Sequence, residues 1–278
     1  MSLPYCLVDV FGSEPFSGNP LPVIANADAL STFDMQRVTR WFGHSETTFL
    51  VAPTDSAADY YARIFTLDRE LPFAGHPTLG SCHAWLELGG IARDPERIIQ
   101  QCGAGLIPLR RSSALLSFSA PPLLRSGPVD ESDLAGVAEF LKIDRTAILE
   151  AQWIDNGPGW LGVMLASAEE VLALTPSQVW PQRIELGVVG PHPAGHEAAY
   201  EVRSFFTGER GIIIEDPITG SLNASLAQWL RGRFATPYIA FQGTAIDRQG
   251  RVTIDVDGQT IWVAGRTVTI ASGFVPAL

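Results

Sequence analysis

Three ionisable side chains stand where they could move a proton. His76 precedes Pro77 and Asp216 precedes Pro217, and each pair opens an apolar stretch almost without charge. Proline is favoured at the first helical position, where its missing N–H has no partner to lose, so the pattern predicts His76 and Asp216 at helix caps. Gly75 and Gly80 in the first stretch, and Thr219, Gly220 and Ser221 in the second, would let a ligand approach the free backbone N–H groups. The partial positive charge of those groups suits a carboxylate. The third group is Glu46, in His44-Ser45-Glu46-Thr47-Thr48, leading into the apolar run Phe49-Leu50-Val51. Partial desolvation there would raise the proton affinity of a carboxyl towards the range useful for general acid and base work. Taken singly, each also fits a plain structural role, as a helix cap or a solvated strand start.

The elements that must position these groups repeat. Arg63, Phe65, Pro77, Gly80, Ser81, Ala84 and Leu86 recur as Arg203, Phe205, Pro217, Gly220, Ser221, Ala224 and Leu226, with one spacing of 140 residues between all the pairs. Leu21 and Val23 answer Leu161 and Val163 at that spacing. Half the chain separates the copies, which indicates a duplicated domain rather than a solenoid. Strands are expected over 3–11, 21–25, 48–52 and 60–66. A surface helix is expected over 31–41, capped by Ser31 or Thr32, with Phe33, Val38 and Trp41 on one side and a counterpart over 175–180. Residues 77–88 and 217–230 read as helices apolar nearly all round, which must be buried. The fold class is therefore α+β: two pseudo-symmetric lobes, each a curved, mostly antiparallel sheet around a central helix. Pro121 to Asp133, rich in Pro, Ser and Asp, reads as a linker and divides the chain into 1–128 and 129–278. The closing segment reads as hairpin strands turning at Asp257-Gly258, and its last strand could return to the first lobe. Two matched helix starts would face one another across a cleft between the lobes, bringing Glu46, His76 and Asp216 together.

Composition narrows the partners. The 278 residues are 46% hydrophobic and 18% charged, enough to bury a core without metals or crosslinks. A net charge of −11 with no basic block removes the attraction that dominates nucleic-acid binding, and disfavours anionic membranes. No apolar stretch approaches the roughly 20 residues that span a bilayer, and no secretory signal is visible at Met1 to Tyr5, so a soluble, cytoplasmic protein is expected. Cys6, Cys82 and Cys102 lie far apart, as buried thiols of a reduced compartment would.

Several stretches together resemble the PhzF-like family of phenazine biosynthesis. They are Asp9-Val10-Phe11 with Phe16-Ser17-Gly18-Asn19-Pro20, then Ser45-Glu46-Thr47-Thr48-Phe49, Leu71 to Gly80, and Glu215 to Ser221. They run in order over nearly the whole chain. The resemblance implies the fold of diaminopimelate epimerase, a homodimer, and catalysis with neither metal nor organic cofactor. It implies that Glu46 takes a proton from one carbon of a small carboxylated substrate and returns it to another, in the manner of trans-2,3-dihydro-3-hydroxyanthranilate isomerase. His76 and Asp216 match the groups flanking the reacting atoms. Gly75, Gly220 and Ser221 match substrate-holding positions, with Ser45 and Thr219 beside them.

Other readings fit less well. An amino-acid epimerase or racemase with paired thiols would need a cysteine at each helix start, but Cys82 lies inside the first helix and Leu222 occupies its matched position. Gly157, Gly159 and Gly162 fit GxGxxG, yet Pro158 interrupts them and a strand follows. Gly43 to Thr47 lacks the last glycine of a nucleophile elbow. His192 and His196 are separated by Pro193 and Gly195, so they cannot share a helical face for zinc. A non-catalytic small-molecule-binding or interaction protein of the same fold is the alternative from another class.

Overall fold

The computed structural model describes residues 2–94, 96–112 and 115–276. The chain divides into two compact units, Met1–Ser119 with Trp262–Leu278, and Ala120–Ile261. In the first, β1 (Ser2–Val10) pairs antiparallel with β2 (Asn19–Ile24). A crossover through α1 (Thr32–Phe42) brings β3 (Glu46–Val51) parallel to β2. β4 (Tyr60–Thr66) returns antiparallel to β3, and the short β5 (Glu70–Leu71) folds back on β4. A second crossover, α2 (Gly75–Glu87), places β6 (Arg97–Cys102) parallel to β4. β7 (Gly105–Arg111) and β8 (Leu116–Ser119) continue the sheet antiparallel.

The second unit repeats this plan. β9 (Arg125–Gly127) and α3 (Glu131–Leu141) precede β10 (Glu150–Asp155), which pairs with both β9 and β11 (Leu161–Met164). α4 (Ala168–Ala173) crosses to β12 (Glu185–Pro191), parallel to β11. β13 (Tyr200–Thr207) returns antiparallel, with the short β14 (Ile213–Glu215) folded back on it. α5 (Gly220–Trp229) crosses to β15 (Tyr238–Gln242), parallel to β13, and β16 (Gly250–Asp257) follows antiparallel. The registers obey the sequence spacing: Val23 opposite Thr48 becomes Val163 opposite Val188, and Tyr60 opposite Gln100 becomes Tyr200 opposite Ala240. β17 (Thr260–Gly265) then pairs with β8, and β18 (Thr267–Pro276) lies antiparallel along β1.

α2 packs against β1, β2, β3, β4, β6, β8 and β18. A helix about 10 Å across cannot reach so many strands of a flat sheet spaced about 4.8 Å apart, so the sheet curves around it. Gly80 fixes how close it comes: a Cβ there would sit 2.6 Å from Leu21 Cδ2 and 3.0 Å from Val10 Cγ2. That glycine therefore serves strand packing rather than the ligand access its position suggested. On the other face of each sheet lies a separate apolar layer. Leu3, Ile24, Met35, Phe49 and Phe65 form it under α1, and Val137, Phe140, Val171, Val188 and Phe205 under α3 and α4.

Some local expectations change. Ser31 does cap α1, its hydroxyl accepting from the Asp34 N–H at 3.2 Å, but Met35 and Thr39 are buried while Phe33 and Trp41 face outward. The outer helix of the second unit is not 175–180. It is α4, started by the Ser167 side chain on the Glu170 N–H and ended before Pro176. The stretch 121–133 carries β9 and the first turn of α3, so the first unit ends at Ser119 rather than near 128. Its Pro and Asp are turn and helix-start residues rather than a bare linker.

Candidate active site

In the first unit the site grows from the starts of β2, β3 and α2. Glu46 is the first residue of β3, with its backbone opposite Thr66 of β4. His76 is the second residue of α2, whose N-cap is Ala74, so the histidine lies two residues past the cap, within the first turn. Pro77 is tolerated there because the first four N–H groups of a helix have no partner within it. The imidazole Nε2 lies 3.6 Å from Glu46 Oε2, with 3% of the histidine side chain and 15% of the glutamate side chain exposed. The Asn19 side-chain amide meets His76 Nδ1 at 3.3 Å. Burial, reinforced by nearby His44, pushes the His76 imidazole down to about 3. At neutral pH the contact with Glu46 is therefore that of a neutral ring and a carboxyl group, not an ion pair. Gly75 is buried at the first turn of α2, and Ser45 is half-buried just before β3. The helix start is braced from below: Thr78 Oγ donates to the Ala74 carbonyl at 2.8 Å and accepts from Gln100 Nε2 at 3.0 Å.

In the second unit α5 begins five residues after β14 ends, at Gly220, with Thr219 at the N-cap. Asp216 is thus not the cap. The residue before a proline is pushed away from helical geometry, and Asp216-Pro217-Ile218 instead forms a corner. The Thr219 hydroxyl donates to Asp216 Oδ2 at 2.5 Å. Gln242, at the end of β15, holds this corner from below with both ends of its amide. Its Oε1 accepts from the Thr219 N–H at 3.0 Å and from Asn223 Nδ2 at 2.9 Å; its Nε2 donates to Thr219 Oγ1 at 2.9 Å and to the Asp216 carbonyl at 3.1 Å. Ser221 is gripped by the turn between β10 and β11: Trp160 Nε1 donates to its hydroxyl at 3.1 Å and Asn156 Nδ2 to its carbonyl at 2.9 Å. Asp155 organises that turn, accepting from the N–H groups of Gly157 and Gly159, both at 2.7 Å.

Glu46 and His76 are thus brought together in one unit, and Asp216, Thr219, Gly220 and Ser221 in the other. Sequence reasoning missed Asn19, Gln242, Asn156 and Trp160. Asn19 lay inside a recognised stretch without a role, and Trp160 lay among the glycines of the apparent GxGxxG. Gln242 gave only the weak signal of a polar residue closing an apolar strand.

The PhzC-PhzF model, described as phenazine biosynthesis-like protein, matches residues 8–273. The chain belongs to this family. A PhzF-family crystal structure from Enterococcus faecalis superposes with a TM-score of 0.79 at 25% identity, covering 100% of both chains. Trans-2,3-dihydro-3-hydroxyanthranilate isomerase of Pseudomonas fluorescens is 30% identical, over 98% of each chain. Antisense-enhancing sequence 1 of Schizosaccharomyces pombe is 34% identical, over 96% of each.

Other side chains bear on the competing readings. Cys82 is buried inside α2, its thiol pushed up to about 12 by burial, so it is a poor nucleophile. His192 and His196 stack at 3.9 Å between ring centroids, with His192 Nε2 3.1 Å from buried Glu201. Among the described residues no group of three or more His, Cys, Asp or Glu is placed to hold a metal ion, and no helix is long and apolar enough to cross a membrane.

Proposed function

We propose that this chain is an isomerase that moves a proton between two carbons of a small carboxylated substrate, of the trans-2,3-dihydro-3-hydroxyanthranilate isomerase type. The observation that carries the reading is the Glu46 carboxyl held 3.6 Å from a buried, neutral His76, in a chain 30% identical to an enzyme of that name over nearly its full length. Glu46 takes a proton as one C–H bond breaks, and the electron pair moves into the conjugated system of the substrate. The same carboxyl returns the proton to a second carbon as a new C–H bond forms, with no net oxidation. A histidine titrating near 3 does not serve as the base at neutral pH; it serves as a polar neighbour that orients the carboxyl. Asp216, its oxygen fixed by Thr219, is assigned to the reaction as the second carboxylate, and Gly75, Gly220, Ser221 and Ser45 to substrate holding.

Turnover of a carboxylated dihydroaromatic substrate in heavy water tests this reading: deuterium should appear at the carbon that gains the proton. In Glu46→Gln the amide keeps the shape but cannot accept the proton, so binding should persist while turnover falls by about 10²-fold or more. A ligand that binds with no label incorporated, or full turnover by the variant, would reject the assignment. The family relationship further supports a cytoplasmic homodimer working without metal or organic cofactor. Light scattering tests the dimer, and activity after exhaustive chelation tests the metal.

A further inference from the structure

Asn19 is buried at the first residue of β2, where its backbone pairs with Val10, and its amide faces the inner nitrogen of His76. A carboxamide NH2 can only donate, so the ring nitrogen it meets must offer a lone pair. A neutral imidazole carries one proton, which must then sit on the other nitrogen, Nε2. Nε2 is the atom that faces Glu46 Oε2. A lone pair there would oppose a carboxylate oxygen, so the second contact selects the same tautomer as the first.

We propose that Asn19 is the positioning residue that fixes the His76 tautomer, keeping the ring proton on Nε2 and directed at Glu46. This rests on Glu46 as the acid/base for its catalytic meaning, but not for its geometry. The 3.6 Å separation is a charge–dipole contact that a small side-chain movement closes to a hydrogen bond, as catalytic contacts often do when substrate binds. With one carboxyl oxygen held by the imidazole, the other is left to work on the substrate. Of the ionisable groups, Glu46 on β3 meets the ring at 3.6 Å and His44, just before β3, acts on it through its charge; Asp9 on β1 has its backbone opposite Pro20, next to Asn19. Burial, ahead of His44, keeps the ring neutral.

The test reads the tautomer directly. Ring nitrogen–proton correlation spectra of the full-length protein, made with ¹⁵N-histidine, give distinct patterns for the two neutral tautomers and the imidazolium; His76 is assigned by the signals lost in His76→Asn. The expected result is the Nε2–H form throughout the neutral range. The Nδ1–H form, or an imidazolium at neutral pH, overturns the proposal whatever the activity. In Asn19→Asp a carboxylate replaces the donor, so the proton should move to Nδ1, and kcat should fall about 10- to 100-fold with KM little changed. The acid limb of its pH profile should move to higher pH, because the new charge favours the imidazolium. A folded Asn19→Asp protein with wild-type tautomer and pH profile would also overturn it; if that variant does not fold, the wild-type spectrum decides alone. An Nε2–H tautomer in a protein that exchanges no substrate proton would uphold the Asn19 role while rejecting the isomerase reading.

Discussion

An imidazole cut off from water takes up a proton only at low pH, and His76 is such a group. Its ordinary value of 6.5 falls to about 3 through burial, with His44 adding to the effect. Above pH 6.5 the ring is neutral in both folded and unfolded chains, so it has no influence on the pH dependence. Below 6.5 the unfolded chain binds a proton that the native state refuses, so stability is lost as pH falls from 6.5 towards about 3. Urea midpoints measured across that window should decline in the wild type and decline less steeply in His76→Asn; parallel curves would show that the ring is not the cause. Asp216 makes a different prediction. Asn at that position can still accept from the Thr219 hydroxyl, so the corner before α5 should survive, with a stability change within about 1 kcal/mol. Turnover in Asp216→Asn should nevertheless drop about 10²-fold, because the negative charge is gone. If stability fell and kcat held, Asp216 would be a structural residue.

At the level of elements, the repeat proved to be carried by the scaffold as much as by the site. Arg63 lies 5.3 Å over the Phe65 ring and pairs with Glu70 at 2.7 Å; Arg203 lies 5.0 Å over Phe205 and pairs with Glu215 at 2.7 Å. Arg203 also donates to the last carbonyls of α4, and Arg63 to Thr32 at the start of α1, so each arginine ties a strand to its outer helix. The central helices were legible because runs such as Leu79-Gly80-Ser81-Cys82 leave no polar face to show to water. Their starts were not. Proline reports only where a helix can begin, and here the corner chemistry of Thr219 and Gln242 moved one start inward while the other began before Pro77. Which side of α1 turns inward was not legible for a related reason: with apolar residues on both sides, periodicity alone does not say which side meets Phe49 and Phe65, and Phe33 and Trp41 face outward. Gly80→Ala tests the packing of α2. The added methyl must displace Leu21 or Val10, both fully buried, so a loss of about 1–3 kcal/mol in denaturant unfolding is expected, with the fold retained. An unchanged midpoint would mean that the helix sits further from β1 and β2 than described.

For the molecule as a whole, the two units share a plan but not a chain path. The second is a continuous segment, whereas the first is completed by residues from both sides of it, with β18 lying along β1 over almost its whole length. Residues 120–261 expressed alone should therefore fold and melt cooperatively, while 1–119 alone should expose the β1 edge and aggregate. Adding a peptide of residues 262–276 to the shorter fragment should restore its resistance to protease; no restoration would place the stability of the first unit elsewhere. The nesting also sets a timetable for synthesis. At roughly 5–20 residues per second, β1 is made many seconds before its partner β18, whereas β18 follows β16, the last strand wholly within the inserted unit, after only a short stretch of chain. The nascent protein thus carries the free edge of β1 through nearly the whole of its synthesis, and the earlier-made half can close only when the last strand arrives.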